Sequence, residues 1–216
     1  MSARIDHESR RLEIAFKAMK LFSQVGYDNV SLIMVASAAG VARTVLYRYF
    51  RSKREVLDAA ILAVTQQIMK DSRKELSSRG KVSDRLSMVC YHVADVLFEK
   101  KEFLSAIFDF VLSMVRSGED MGARIQRFTG GIKSIFARLI TEGAIKGEFD
   151  PDVNPERAAE GFYSLLESCV LRIVLGTESN SAQIKVRVSD MVRAISVSPA
   201  DNAQSQGGKW AAKRIS

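Results

Sequence analysis

The sequence predicts an all-α protein, and two observations carry that prediction. Its 216 residues include only three prolines, at positions 151, 155 and 199, so almost nowhere does a proline remove a backbone donor from a helix interior. Apolar residues recur at spacings of three and four along most of the chain, and no segment alternates with β-branched enrichment between turn signals. The first helix is expected over about residues 10–24, with Ile14, Ala18, Leu21, Phe22 and Val25 on one face and Gly26 ending it. A second, short helix follows Ser31, a good N-cap, and stops at Gly40; a third runs from about Ala42 to Phe50.

The fourth helix opens on Ser52-Lys53-Arg54-Glu55, a capping box in which Ser52 accepts from the amide three residues on and Glu55 reaches back. It should continue to about Leu76. Further helices are expected near 83–100, 102–116, 119–145, 155–175 and 181–196, separated by breaks that contain Gly80, Gly118, Gly147 and Gly176. Asn154-Pro155-Glu156 is a strong helix start, combining a cap, a first-turn proline and an acid at the positive end of the dipole. Residues 198–216, rich in Ser, Ala, Asn, Gln and Gly with a basic end, are expected to be a disordered tail.

Composition excludes several functional classes. An apolar fraction of 47% is ordinary for a globular chain, and no apolar run approaches the ~18 residues of a membrane span. The N-terminus is charged and lacks the apolar stretch of a signal peptide, so a cytoplasmic location is expected. Cys90 and Cys169 stand alone in apolar surroundings and read as small core residues. With His7 and His92 as the only imidazoles, no metal site, cofactor fingerprint or catalytic constellation is recognisable. The chain is therefore expected to be no enzyme and to carry no cofactor.

Charge is informative once located. Residues 1–55 hold ten Lys or Arg against five Asp or Glu, while the remaining 161 hold twenty-two against twenty. Such a concentrated positive field attracts polyanions, nucleic acid above all. Within it, residues 31–50 read as a short helix, a glycine turn and a second short helix, which is helix-turn-helix geometry. Val35, Ala36 and Ala39 suit the inner face of the first of these helices. Val41, Leu46 and Phe50 would anchor the second, leaving Arg43, Thr44, Tyr47, Arg48 and Tyr49 outward to meet a major groove.

These residues resemble the tetracycline-repressor-like (TetR) family, whose signature combines a Thr or Ser cap, Ile-Ala, Ala-Gly-Val-Ser, Leu-Tyr-x-Tyr/His-Phe and a following Ser-Lys. Here they read Ser31, Val35-Ala36, Ala39-Gly40-Val41-Ala42, Leu46-Tyr47-Arg48-Tyr49-Phe50 and Ser52-Lys53. The likeness covers about residues 10–60; beyond it, length, helicity and the Gly-Glu-Phe-Asp-Pro-Asp stretch at 147–152 are also similar. The resemblance implies that Arg43, Thr44 and Arg48 approach bases, that Tyr47, Tyr49 and Lys53 hold phosphates, and that the cap Ser31 belongs to the same DNA-facing set. Core packing by one of the two tyrosines is the alternative. A phosphate at Lys53 and Arg54 would explain two cations at the positive end of a helix dipole; the alternative is a solvated pair.

Three departures from the family pattern bear on these roles. Ala42 stands where a serine usually caps the recognition helix, a loss of about 1 kcal/mol of local stability. Val45 replaces a common phosphate-binding Thr or Ser. Leu32, Ile33 and Met34 occupy positions often polar in the family; Leu32 or Ile33 could meet a thymine methyl, but core packing is the preferred reading.

Residues 56–197 hold too much apolar helix to be an extension of the first domain (1–55), and the resemblance implies an effector-binding and dimerising domain. The helix at 155–175 is apolar over more than one stripe, through Ala158, Ala159, Phe162, Leu165, Leu166, Cys169, Val170 and Ile173. Together with Ile184, Val188, Met191, Val192 and Ile195 on the helix at 181–196, it is expected to form a four-helix homodimer interface. A two-fold dimer would present both recognition helices to double-stranded DNA with a near-palindromic operator.

Candidate effector residues lie on the middle helices: Tyr91, Asp95 and Phe98; Phe103, Ile107, Phe110 and Met114; Phe128 and Phe136; Tyr163 and Glu167. They suit an apolar or aromatic small molecule with one polar end. Plain core is the alternative for each. His92, three residues from Asp95, reads as an ordinary, partly exposed pair, and Gly130-Gly131 as a close helix contact or a ligand-dependent bend. The reading is a DNA-binding regulator, a repressor released by a small molecule. Its rivals are a non-specific DNA-binding protein and a regulator answering to a protein partner.

Overall fold

The computed structural model describes residues 2–178 and 180–197, with side chains from residue 7 on; the segment expected to be a tail, 198–216, lies outside the described residues. Among the described residues it is all helix: α1 (Ser2–Val25), α2 (Leu32–Ala39), α3 (Arg43–Tyr49), α4 (Lys53–Leu76), α5 (Val82–Glu99), α6 (Lys101–Arg116), α7 (Gly122–Ile145), α8 (Pro155–Val174) and α9 (Ala182–Ile195). The one extended pairing is an isolated bridge between Phe149 and Ser196. No described helix is long and apolar enough to cross a membrane.

The expected boundaries hold to within a few residues except at the start, where α1 begins at Ser2 rather than near Arg10. No Gly or Pro interrupts that first stretch, and it packs back on the third helix: His7 lies 4.5 Å from the Tyr49 ring and the Arg11 guanidinium 4.9 Å from the Phe50 ring. Caps form where the sequence places them. Ser52 Oγ accepts from the Glu55 amide at 3.2 Å, and Asn154 Oδ1 from the Arg157 amide at 2.9 Å. The return bond of the first box goes one residue further back than expected, from the Arg51 amide to Glu55 Oε2 at 2.8 Å.

Two hydrophobic clusters share α4. The first joins α1–α3 and the N-terminal half of α4 to α6, through Phe22, Leu46, Phe50, Leu57 and Phe110. The second gathers Ile68 near the end of α4 with α5, α7, α8 and α9, through Leu86, Phe136, Phe162 and Val188. Cys90 and Cys169 are both buried there, as expected. The α4 C-terminus is held by Arg85, itself buried, which donates to the Glu75 and Leu76 carbonyls at 2.7 Å and pairs with Glu142. These bonds satisfy carbonyls that the end of a helix leaves without partners.

The stretch at 147–152 is structural. Phe149 is fully buried, and its ring lies so close to Gly143 that a Cβ there would meet it at 2.1 Å. Glu148 caps α5 from outside that helix, accepting from the Val82 and Ser83 amides at 2.9 and 3.1 Å; Lys81 offers no side-chain cap. Of the glycine pair in α7, Gly131 marks a close contact, since a Cβ there would meet the Met69 thioether at 2.9 Å, while Gly130 faces open space.

The expected dimer stripe on α9 is corrected. Ile184, Val188 and Val192 are buried in the second cluster of their own chain, with Met191 and Ile195 packed against it. Likewise Ala159, Phe162, Leu166, Cys169 and Ile173 of α8 face inward. An apolar stripe reports burial without saying against which chain. The outer surface of this pair carries Leu171, Leu175 and Val186, 44%, 64% and 61% exposed.

Replacing Phe149 with Ala should lower unfolding free energy by about 3–5 kcal/mol, the usual cost of emptying a core aromatic site, read by denaturant titration. Hydrogen bonds from Arg85 and then Lys146 hold the Glu142 carboxyl down to about 2, below its ordinary 4.5. A group with a depressed folded pKa stabilises above its unfolded value and loses that contribution as protons bind. Stability should therefore fall between about pH 4.5 and 2, and Glu142→Gln should flatten that acid limb.

Candidate nucleic-acid interface and effector cavity

The helix-turn-helix is built from the two short helices. Ser31 Oγ accepts from the Met34 amide at 3.3 Å to start α2, and Gly40, at φ 68°, turns the chain toward α3 with its own N–H bonded back to the Ser37 carbonyl. Val35, Ala36, Ala39, Leu46 and Phe50 are buried as expected. Ala42 makes no side-chain cap, so α3 starts with unassisted amides.

Outward from this core stand Arg43, Thr44, Tyr47 and Arg48, all exposed, with Arg43–Tyr47 and Thr44–Arg48 four residues apart on neighbouring rows of one helix face. The two tyrosines separate: Tyr47 is half exposed, whereas Tyr49 is partly buried against the first cluster and stacked near His7. The core reading of the α2 start is corrected for Ile33, which is 49% exposed, and holds for Leu32, which packs against the core; Met34 is exposed as well. The first turn of this helix places the Ile33 side chain outside the Val35/Ala36/Ala39 stripe.

Lys53 and Arg54 are turned inward rather than left solvated. Lys53 Nζ donates to the Tyr27 and Asp28 carbonyls at 2.7 and 3.0 Å and lies 4.4 Å from the Tyr27 ring centre. Arg54 pairs with Glu119 and also contacts the Met114 sulfur at 2.8 Å. Both cations face carbonyls, carboxylate or sulfur that the turn after α1, the last turn of α6 and the α6–α7 loop place there.

That turn joins the small helices to the rest. The Tyr27 amide donates to Asp109 Oδ2 on α6, Ser113 Oγ donates to Asp28 Oδ1 at 2.6 Å, and Arg116 lies 3.4 Å from Asp28. One helical turn further along α4, Asp58 pairs with Arg124 at the start of α7. Tyr27 itself is buried between Phe22 and Phe110, with ring centres 5.4 and 4.8 Å away.

Between α4, α6, α7 and α8 lies a cavity of about 370 Å³, bounded by Ile61, Thr65, Ile107, Phe110, Val111, Arg124, Phe128, Tyr163 and Glu167 among others. A second chamber of about 170 Å³ continues it toward α5, between Ile68, Val93, Leu97 and Ile132. Thr65, Phe128, Thr129, Tyr163, Glu167 and Val170 border both. The size lies in the ordinary range for small-molecule sites, and an apolar wall with few polar groups is their usual lining. Burial pushes the Tyr163 hydroxyl up to about 12, so it stays protonated and able to donate.

Phe110, Phe128, Tyr163, Glu167 and Ile107 are thus brought together. Tyr91, Asp95 and Met114 are not. The Tyr91 hydroxyl meets Ser189 Oγ at 2.7 Å and Asp95 pairs with Lys185 at 2.9 Å, so both fasten α9 to α5. Met114 belongs to the first cluster, beside Arg54. Phe103 and Phe136 are core, and Phe98 packs against the second cluster. His92 faces Asp71 at 3.5 Å, not Asp95. Missed in the sequence were Ile61 and Thr65, which make α4 a wall of the cavity, and Arg124, a cation set among Met121, Ile125 and Phe128 on an apolar helix face.

Residues 16–60 match the family model described as bacterial regulatory proteins, tetR family. Over 200 residues the chain is 24% identical to the HTH-type transcriptional regulator PksA of Bacillus subtilis, covering 91% of this chain and 95% of that protein. Among solved structures, the fatty acid degradation regulator FadR from Bacillus halodurans aligns with a TM-score of 0.73 at 17% identity, covering 85% of this chain and 94% of that one. FadR from B. subtilis, solved with stearoyl-CoA, aligns at 0.70 and 16%, covering 83% and 96%. These structures share the fold of α1–α9. With its helix-turn-helix inside the matched segment, the chain carries the N-terminal DNA-binding module of tetR-family regulatory proteins, as a DNA-binding regulator does.

Proposed function

We propose that this regulator is a homodimeric repressor, and that an elongated, largely apolar effector in the cavity between α4 and α8 releases it from its operator. One observation carries this reading: α4 is a single 24-residue helix whose first turn braces the DNA-reading unit and whose Ile61 and Thr65 line the cavity. A change in the cavity that displaces α4 therefore displaces the unit braced by Lys53 and Arg54. In this scheme residues 1–55 read DNA, while 56–197 bind effector and dimerise. Arg43, Thr44 and Arg48 face base edges; Ser31, Tyr47 and the remaining Lys53 donor face the phosphates; Tyr49 supports α3 from behind.

Two readers related by a two-fold axis meet successive major grooves only at a matching separation. An effector that prefers a different α4 position lowers operator affinity by its differential preference for that state, and operator weakens effector binding by the same factor. The long apolar chain held by the B. subtilis FadR is of the class that a two-chambered apolar cavity accommodates.

Fluorescence anisotropy at fixed salt, with DNA from upstream of the gene and with random DNA of equal length, tests the reading. The upstream site should bind about 10³-fold or more tightly, and equal affinities would contradict sequence-specific regulation. Arg43→Ala should cost about 1–3 kcal/mol on the operator and relax specificity at one position. Lys53→Ala should weaken binding on every sequence and also lower the unfolding temperature, because it unfastens the Tyr27–Asp28 turn. A purely phosphate-binding lysine would leave that temperature unchanged.

A further inference from the structure

Among the described residues that border the two chambers, Arg124 is the one cation and Glu167 the one carboxylate. Arg124 is in the first turn of α7, its side chain 18% exposed, with the guanidinium carbon 5.4 Å from the Phe110 ring centre. Its Nη2 bonds both carboxylate oxygens of Asp58 on α4, while its Nε is shut off from solvent and has no acceptor. A guanidinium presents five donors in a planar fork suited to bidentate binding of a carboxylate. This one is thus held by a single nitrogen, with a desolvated donor unused, at the edge of an apolar cavity.

The placement of charge gives the cavity a direction. Glu167, with Thr129 and Tyr163, stands where the two chambers meet and opposes an anion there. Arg124 borders the larger chamber alone. A negative head group is therefore favoured at the Arg124 end, with its apolar chain running past the junction toward Val93 and Leu97.

We propose that Arg124 reads the head group of the effector, an amphiphile with a carboxylate on an apolar chain, and that this carboxylate takes the guanidinium from Asp58 and so uncouples α4 from the start of α7. The proposal rests on the reading of this cavity as the effector site. It turns ligand chemistry into motion at a defined place, because Asp58 lies four residues from Arg54, which is bonded to Glu119 just ahead of α7. Asp58 and the ligand are competitors for one cation, so the effector binds in proportion to how easily α4 gives up its pair.

Calorimetric titration of the full chain with dodecanoate and with 1-dodecanol tests this. Wild type should bind the acid roughly tenfold more tightly than the alcohol, since a site built to bond a polar group rejects the analogue that lacks it. Arg124→Gln should bring the acid to within about twofold of the alcohol, with the alcohol unaffected. Asp58→Asn, which leaves Arg124 in place, should tighten acid binding severalfold and leave the alcohol unchanged. Equal affinities in wild type, or an acid preference that survives Arg124→Gln, would overturn the head-group assignment while leaving the cavity as effector site. Failure of both probes to bind would contradict the cavity reading itself.

Discussion

The placement of the DNA-reading unit depends on the turn at Gly26–Asp28. Gly26 leaves α1 at φ 86°, a conformation that L side chains rarely adopt. This exposes the Tyr27 amide to Asp109 on α6 and the Tyr27 and Asp28 carbonyls to Lys53 on α4. Two elements distant in sequence, α4 and α6, thus converge on the three residues that follow α1. The Tyr27 ring fills the space beneath, against Phe22 and Phe110, so that polar and apolar contacts fix the same geometry. Buried donors and acceptors left without partners cost about 1–3 kcal/mol each, which makes this junction hard to open by degrees and suited to two discrete arrangements.

In the proposed mechanism, the two hydrophobic clusters are what link this junction to the cavity. The reading unit does not end where α4 begins; its core includes Phe103, Ala106, Phe110 and Met114 of α6. Phe110 borders the cavity on one side and touches Tyr27 on the other. A ligand touching α6 and α4 in the cavity would therefore touch the walls of the reader's own core, and close-packed walls transmit displacement. The second cluster, tied by Arg85, Glu142 and the wedge of Phe149 over Gly143, would supply the rigid side against which α4 moves in the proposed mechanism.

The local features of the chain were legible in its sequence because their causes are local. Ser52 and Asn154 cap the helices they precede, Gly40 makes the turn, and Leu46 and Phe50 anchor α3 at the spacing that a helix face requires. Partner choice was not legible. Lys53 reads as a phosphate cation until the Tyr27 and Asp28 carbonyls, twenty-six and twenty-five residues away, are placed beside it. Tyr91 and Asp95 look like pocket residues because aromatic and acidic side chains on an apolar helix suit a ligand equally well as they suit α9. Phe149 reads only as part of the family-like stretch at 147–152, and the missing Cβ of Gly143 shows why it is buried. The α9 stripe is real, but its period cannot distinguish the chain's own core from that of a second copy.

Severing the junction without touching either site provides the most direct test of coupling between cavity and DNA. Asp109→Ala removes the acceptor of the Tyr27 amide and leaves α3 and the cavity-bordering residues unaltered. Operator dissociation constants are to be measured with and without saturating dodecanoate, in wild type and in this variant. Coupling through the junction predicts that ligand affinity is retained while the ligand-induced rise in operator dissociation constant shrinks severalfold. An undiminished rise in the variant would show that the cavity reaches DNA by another route and would contradict the central role of this turn.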